Sequence, residues 1–421
     1  MTTLKNGGSL FLLESWKSQS ECRMSYIASA VFFLLSFHRH SYIAFATFLL
    51  IVSISPLVKY LLGVQTISVF YALFLVGIIF ASIVRDKGRI NKIMILFGFG
   101  IALLLLIQQL VVGFEFSSLA LGFVKLLMLP LLGYFTAKEL HSKNRDLFAV
   151  LFFYILINLA IFYFRAFFEY TFYGVIDVRT EAWVYRPSNL TSPIIFAIEM
   201  VIIIAIMYVS DVPKWRRICL LGLIFVPLIL MQTRAAMVLF GLMTVVYLIY
   251  SKQFRSLVIL HITAAIGIIL LWILSGEIPY VFTIFSYEGG AYSSRMSSVA
   301  DTFDIFSEFG VLKMLIGSGS GLASQHASSF GHEAIYVENG LIALLVENGL
   351  LVFIMFIGAL AYYPLKVRLM GTSGYLYVLL LAIVAINFFS ASLTTLSIQA
   401  LFWLVYFYGL FMPTKDLKLL T

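Results

Sequence analysis

The sequence predicts an all-α polytopic membrane protein of about twelve transmembrane helices, with one large external loop between the ninth and tenth spans. Three observations carry that expectation. The 421 residues are 62% hydrophobic and only 11% charged, with a mean hydropathy of +1.02, whereas a soluble domain is roughly a quarter charged. Apolar runs long enough to approach a bilayer thickness recur along the chain. Lysine and arginine gather in alternate short connections, the pattern that orients helices in a membrane.

In chain order, the apolar runs lie near 41–63, 66–84, 92–112, 117–136, 147–165, 190–209, 218–233, 235–251, 256–276, 341–364, 375–393 and 395–412. Residues 1–40 form an N-terminal cytoplasmic or interfacial segment, and 41–421 form a single transmembrane domain. The stretch from Met24 to Phe37 is short for a span, and no small-residue cleavage site follows it, so a cleaved secretory signal is not expected. Arg85, Lys87, Arg89 and Lys92 share one expected face with Lys138, Lys143, Arg145, Lys214, Arg216 and Arg217. Lys252, Arg255, Lys366, Arg368, Lys415 and Lys418 extend that set, so this face is expected to be cytoplasmic and to hold both termini. Cys22 and Cys219 fall on the same side, where a disulfide framework does not form. The net charge of +8 suits anionic head groups; its scatter gives no patch for nucleic acid, and no nucleic-acid partner is expected.

The opposite face carries two long segments, external loops 165–189 and 276–340. Basic residues outside the cytoplasmic set are Arg165, Arg179, Arg186, Arg234 and Arg295, with Lys59, Lys125 and Lys313. Arginines on the disfavoured side point to a membrane-borne anion, because a guanidinium fork pairs bidentately with phosphate oxygens. Arg186 precedes a Ser/Asn/Thr cluster flanked by Pro187 and Pro193, a helix start with Thr191 or Ser192 available as cap. Arg234 lies at the tip of a helical hairpin in MQTRAAMVLF. Arg295 leads a surface helix on which Met296, Val299, Phe303 and Phe306 keep helical spacing. Each also has an ordinary reading, as a snorkelling or solvated interfacial residue.

Gly317, Gly319 and Gly321 lack the Gly-Lys-Ser/Thr ending of a nucleotide loop and predict a tight turn. His332, Glu333 and Glu338 supply acid–base groups beside the next span. Glu338 either serves as a general base or favours the helix N-terminus through its dipole. Glu347 is expected to hold a partner group inside the bundle. Asp301, Asp304 and Glu308 read as a solvated helix face, and no ligand spacing suggests a metal.

Taken together, Arg186 with Pro193, Arg234 before two alanines, Arg295, the Gly317-x-Gly319-x-Gly321 turn, and Glu338-Asn339 through Glu347 and Gly349 resemble the O-antigen polymerase and O-antigen ligase family. The resemblance covers about 170 residues within the C-terminal two thirds, from Arg186 to Gly349; upstream only the number of spans agrees. It implies a GT-C-like fold and a metal-independent, cofactor-free glycosyltransferase at the bacterial inner membrane, with its active site facing the periplasm. The implied substrate is an undecaprenyl-diphosphate-linked oligosaccharide, as both donor and acceptor, alongside membrane lipid and a chain-length regulator protein. The implied site has Arg186, Arg234 and Arg295 on the diphosphate, Glu338 or His332 as base, and Arg179, Asn339 and Gly319 in support. Ligases of this family usually read His-Asn where this chain has Glu338-Asn339, which leans toward a polymerase. The alternatives are a ligase that transfers glycan to a lipid core and, in a different class, a lipid-linked oligosaccharide flippase.

Overall fold

The computed structural model describes residues 40–55, 68–85, 92–172, 190, 192–231, 233–252, 304, 306–320, 339–369, 371–387, 393 and 395–412. Among these residues the regular structure is helical throughout, and most of the helices overlap the apolar runs. They are α1 (Ser41–Ser53), α2 (Ser68–Arg85), α3 (Lys92–Val112), α4 (Phe116–Phe123), α5 (Leu129–Ser142), α6 (Leu147–Phe172) and α7 (Pro193–Val209). Next come α8 (Lys214–Met231), α9 (Arg234–Tyr250), the short α10 (Val311–Ile316), α11 (Gly340–Lys366), α12 (Gly371–Ile386) and α13 (Leu396–Phe411). A π-helical turn, Val124–Met128, joins α4 to α5 without a break.

Among the described residues, three helices are long and apolar enough to cross a membrane: Ser118–Ser142, Leu147–Phe168 and Gly340–Lys366. Seven shorter apolar helices accompany them. The outer faces stay apolar, with Leu110 and Leu365 each 85% exposed and Phe164 and Phe167 each 70% exposed. Such a surface has no reason to exist in water but suits hydrocarbon. The chain is thus a membrane-type helical bundle.

α7 occupies the middle. Every side chain from Phe196 to Tyr208 is buried, because PIIFAIEMVIIIAIMYV is apolar on all sides apart from Glu199 and is packed on all sides. Ser192 stands at its N-cap, as expected, though its side chain makes no capping bond; Pro193 follows at the first helical position, where its missing N–H costs nothing. α5 and α13 approach closely because Gly133 lies against the Trp403 backbone, where an added Cβ would meet the Trp403 carbonyl carbon at 2.9 Å.

Several boundaries differ from the sequence expectation. α6 continues to Phe172, so residues 166–172 are helix, where an external loop from 165 was expected. α8 starts at Lys214, placing Arg216 and Arg217 in its first turn. Arg217 is held there by its guanidinium, which donates to the Ser210 and Val212 carbonyls at 3.1 and 3.4 Å. The expected ninth span, 256–276, lies outside the described residues.

The ends of the helices form two polar layers. One gathers expected cytoplasmic residues: Glu139 takes hydrogen bonds from Lys143 at 2.6 Å and from the Ser41 N–H at 2.5 Å. Arg145 bonds the Tyr42 hydroxyl at 2.7 Å, and an Asp146 carboxylate oxygen accepts from the Asp211 N–H at 2.6 Å. The other layer holds Gln108, Glu115, the turn after α10, Asn339 and Asn387, and it positions the site.

Candidate functional site

The second polar layer centres on a break in α11. Gly349 has φ 76° and ψ 174°, a backbone state open essentially to glycine alone, and it interrupts the helix nine residues in. Such a break strands carbonyls that would otherwise bond four residues ahead, and buried carbonyls need replacement donors. The turn after α10 supplies them. The Ser318 N–H donates to the Val346 carbonyl at 2.9 Å, and the Ser318 hydroxyl to the same oxygen at 3.0 Å. The Gly319 N–H donates to the Glu347 carbonyl at 2.9 Å. Gln108 on α3 clamps both partners, its Nε2 donating to the Ile316 and Glu347 carbonyls at 2.6 and 2.8 Å.

The backbones touch, which explains the glycines. Gly317 has φ 86° and ψ 176°, the same restricted state as Gly349. A Cβ on Gly317 would fall 2.4 Å from the Glu347 carbonyl oxygen, and one on Gly349 would fall 2.4 Å from the Gly317 nitrogen. The tight turn expected of the Gly-x-Gly-x-Gly segment is therefore present at Gly317 and Gly319, both with positive φ. Gly321 lies outside the described residues.

Glu347 sits beside this break and is 6% exposed. Its Oε2 lies 3.4 Å from the Nζ of Lys125, itself 6% exposed and carried by the π-helical turn. The sequence expectation that Glu347 holds a partner inside the bundle is met, and the partner is Lys125. A π-turn inserts one extra residue and rotates the residues beyond it, which swings Lys125 toward α11 and often marks a functional position. Asn348 completes the floor: it donates to the Leu344 carbonyl at 3.2 Å and accepts from the Ser320 hydroxyl at 3.2 Å. Gly122 leaves space for Ser320, whose Oγ would sit 3.2 Å from an added Cβ.

Asn339 caps α11, its side-chain oxygen accepting from the Leu341 and Ile342 N–H groups at 3.1 Å each. The sequence places Glu338 in the first helical turn; the helix instead begins at Gly340, with Asn339 as the cap. Asn387 fastens that start from α12, its carbonyl accepting the Gly340 N–H at 2.9 Å and its Oδ1 the Leu393 N–H at 2.6 Å. Phe306, Phe309 and Met314 pack against Ile342, Ala343 and Val346, holding the approach to the turn on the same helix. Lys313 lies with its Nζ 4.3 Å from the Phe309 ring centroid, and desolvation there pulls it below the ordinary lysine range.

Of the sequence-predicted site, Asn339 and Gly319 are brought into one unit through α11. Arg234 begins α9, behind Thr233 at its N-cap, as the hairpin reading expected; the placement of its side chain is outside the described set. Arg179, Arg186, Arg295, His332 and Glu338 also lie outside the described residues. Sequence reasoning missed Gln108 and Asn348, and it did not join Lys125 to Glu347. A signal existed, since a lysine and a glutamate in separate apolar runs are each too costly alone and so select one another.

No protein-family model and no curated protein matches the chain. The family resemblance accordingly rests on the motif residues of the sequence.

Proposed function

We propose that this chain is a surface-polysaccharide polymerase that joins undecaprenyl-diphosphate-linked repeat units on the external side of the bacterial inner membrane. About twelve spans would carry it, with both termini cytoplasmic. The observation that supports this reading most is the union of two motif segments: the Gly317–Gly319 turn supplies the hydrogen bonds that α11 loses at Gly349. Segments 30 residues apart that carry the resemblance thus form one built unit (residues 317–319 and 347–349), rather than two unrelated stretches. A helix broken at membrane depth is tolerated only where protein buries it or it lines a site.

In the proposed reaction, the hydroxyl of an acceptor sugar attacks the anomeric carbon of the donor. The glycosidic C–O bond to the diphosphate breaks, its electron pair leaves on the lipid diphosphate, and Glu338 or His332 takes the hydroxyl proton. Arg186, Arg234 and Arg295 would stabilise the charge that develops on the leaving diphosphate. Metal is not required when guanidinium groups carry that task.

The test supplies purified protein in lipid bilayers with a lipid-diphosphate repeat unit as sole glycan. Lengthened product supports polymerase chemistry; transfer that needs a second, different lipid acceptor indicates a ligase; relocation of the substrate without a new bond indicates a flippase. Arg234→Ala and Arg295→Ala should each abolish lengthening while the protein still inserts, and full-length polymer from either variant would remove the diphosphate-clamp assignment.

A further inference from the structure

A second ionisable group lies in the bundle, away from the broken helix. Glu199 is 0% exposed at the middle of α7. Its Oε2 accepts a hydrogen bond from the Tyr154 hydroxyl of α6 at 2.6 Å. Tyr154 in turn accepts from the Ser53 hydroxyl of α1 at 3.2 Å. The Ser397 hydroxyl of α13 flanks the same carboxyl. Four helices therefore meet at one acid, and Tyr154, Ser53 and Ser397 are 0%, 2% and 3% exposed. Oε1 has no hydrogen-bond partner among the described residues. Among those residues Tyr154 is the one titratable group hydrogen-bonded to the carboxyl, and Tyr154 and Ser397, with no cation, make up its polar surroundings.

An ionised carboxylate in such a place is costly without a counter-charge, since neutral hydroxyls offset only part of the desolvation cost, and the neutral acid is favoured. A resident metal cation would need the hydroxyl oxygens turned toward it, yet Tyr154 already directs its proton at Oε2. The unpartnered Oε1 is the remaining position, and the smallest cation suits it.

We propose that Glu199 is an intramembrane proton-binding site. The carboxylate takes up one proton at Oε1 to become a neutral acid while Tyr154 continues to donate to Oε2; release returns the proton and restores the anion. Because α1, α6, α7 and α13 all contribute to the pocket, occupancy sets whether their joint is neutral or carries an uncompensated charge. The inference stands apart from the glycan-transfer reading, as it uses none of that site's residues.

Infrared spectroscopy of the full chain in lipid nanodiscs at neutral pH tests it. The wild type should show a protonated-carboxyl stretch that shifts in heavy water and disappears in Glu199→Gln, with the unfolding midpoint of that variant unchanged. Tyr154→Phe removes the hydrogen bond to Oε2 and should move the same band to higher frequency. Loss of ionised-carboxylate bands in Glu199→Gln would overturn the proposal. If Glu199→Gln fails to assemble, Tyr154→Phe decides: a moved protonated band supports the site, and a response confined to the carboxylate region, or none, rejects it.

Discussion

Glu347 and Glu199 are the same residue type, both buried in apolar helices, yet the bundle treats them oppositely. Glu347 faces an ammonium 3.4 Å away at a break where backbone groups also need partners. Glu199 faces the hydroxyls of Tyr154 and Ser397, with Ser53 behind Tyr154, and an unbroken backbone. The first region is built around compensated charge and a glycine-only backbone state, the second around a group with no opposite charge to meet. Composition and local pattern do not separate them. The neighbours on other helices do.

The contrast is most exposed to challenge at the backbone. Gly349→Ala should abolish recovery of monodisperse folded protein in size-exclusion chromatography: the restricted φ/ψ state alone costs about 1–3 kcal/mol, and the added Cβ also meets the Gly317 nitrogen at 2.4 Å. Gly222→Ala is the matched control. Nothing lies within 4 Å of its added Cβ, and a helical glycine exchanged for alanine gains about 1 kcal/mol, so its unfolding midpoint should hold or rise.

The charge contrast comes next. Lys125→Met strands Glu347 in the core and should destabilise by about 3–5 kcal/mol, read by denaturant titration in mixed micelles. Adding Glu347→Leu to it should return most of that loss, because the stranded charge rather than the missing contact carries the cost. Removing one half of the corresponding hydroxyl set around Glu199 should cost much less than Lys125→Met does. Equal losses at the two places would erase the distinction between the two acids.

Smaller effects probe the broken helix itself. Gln108→Leu leaves the Ile316 and Glu347 carbonyls short of a donor and should cost about 1–3 kcal/mol, with faster amide exchange at Ser318 and Gly319. Asn339→Ala removes the cap of α11 and should cost about 1 kcal/mol, with fraying confined to its first turn. A global loss from Asn339→Ala would mean that the first half of α11 and its break do not behave as separable parts.

The pentapeptide Val-Glu-Asn-Gly-Leu occurs at 337–341 and again at 346–350, and it shows how far local sequence reaches. In the first copy the asparagine caps a helix start and Gly340 is the first helical residue. In the second copy Asn348 bonds back to Leu344 while Gly349 adopts the restricted state that breaks the helix. Identical local preferences give different outcomes because the second copy meets the Gly317–Gly319 turn, which replaces the lost backbone hydrogen bonds. The turn itself was legible, since three alternate glycines have few other uses. Its docking partner was not.

By itself the sequence determined that this chain forms apolar helices, where most of them lie, and that Gly317 and Gly319 make a tight turn. These follow from run length, hydropathy and backbone freedom, which are properties of neighbouring residues. Only the tertiary structure decided that Lys125 answers Glu347, that Gln108 bridges α10 and α11, and that Glu199 lies among hydroxyls. In a low-dielectric interior the state of a charge is set by whatever stands a few ångströms away, and helices far apart in the chain place those atoms.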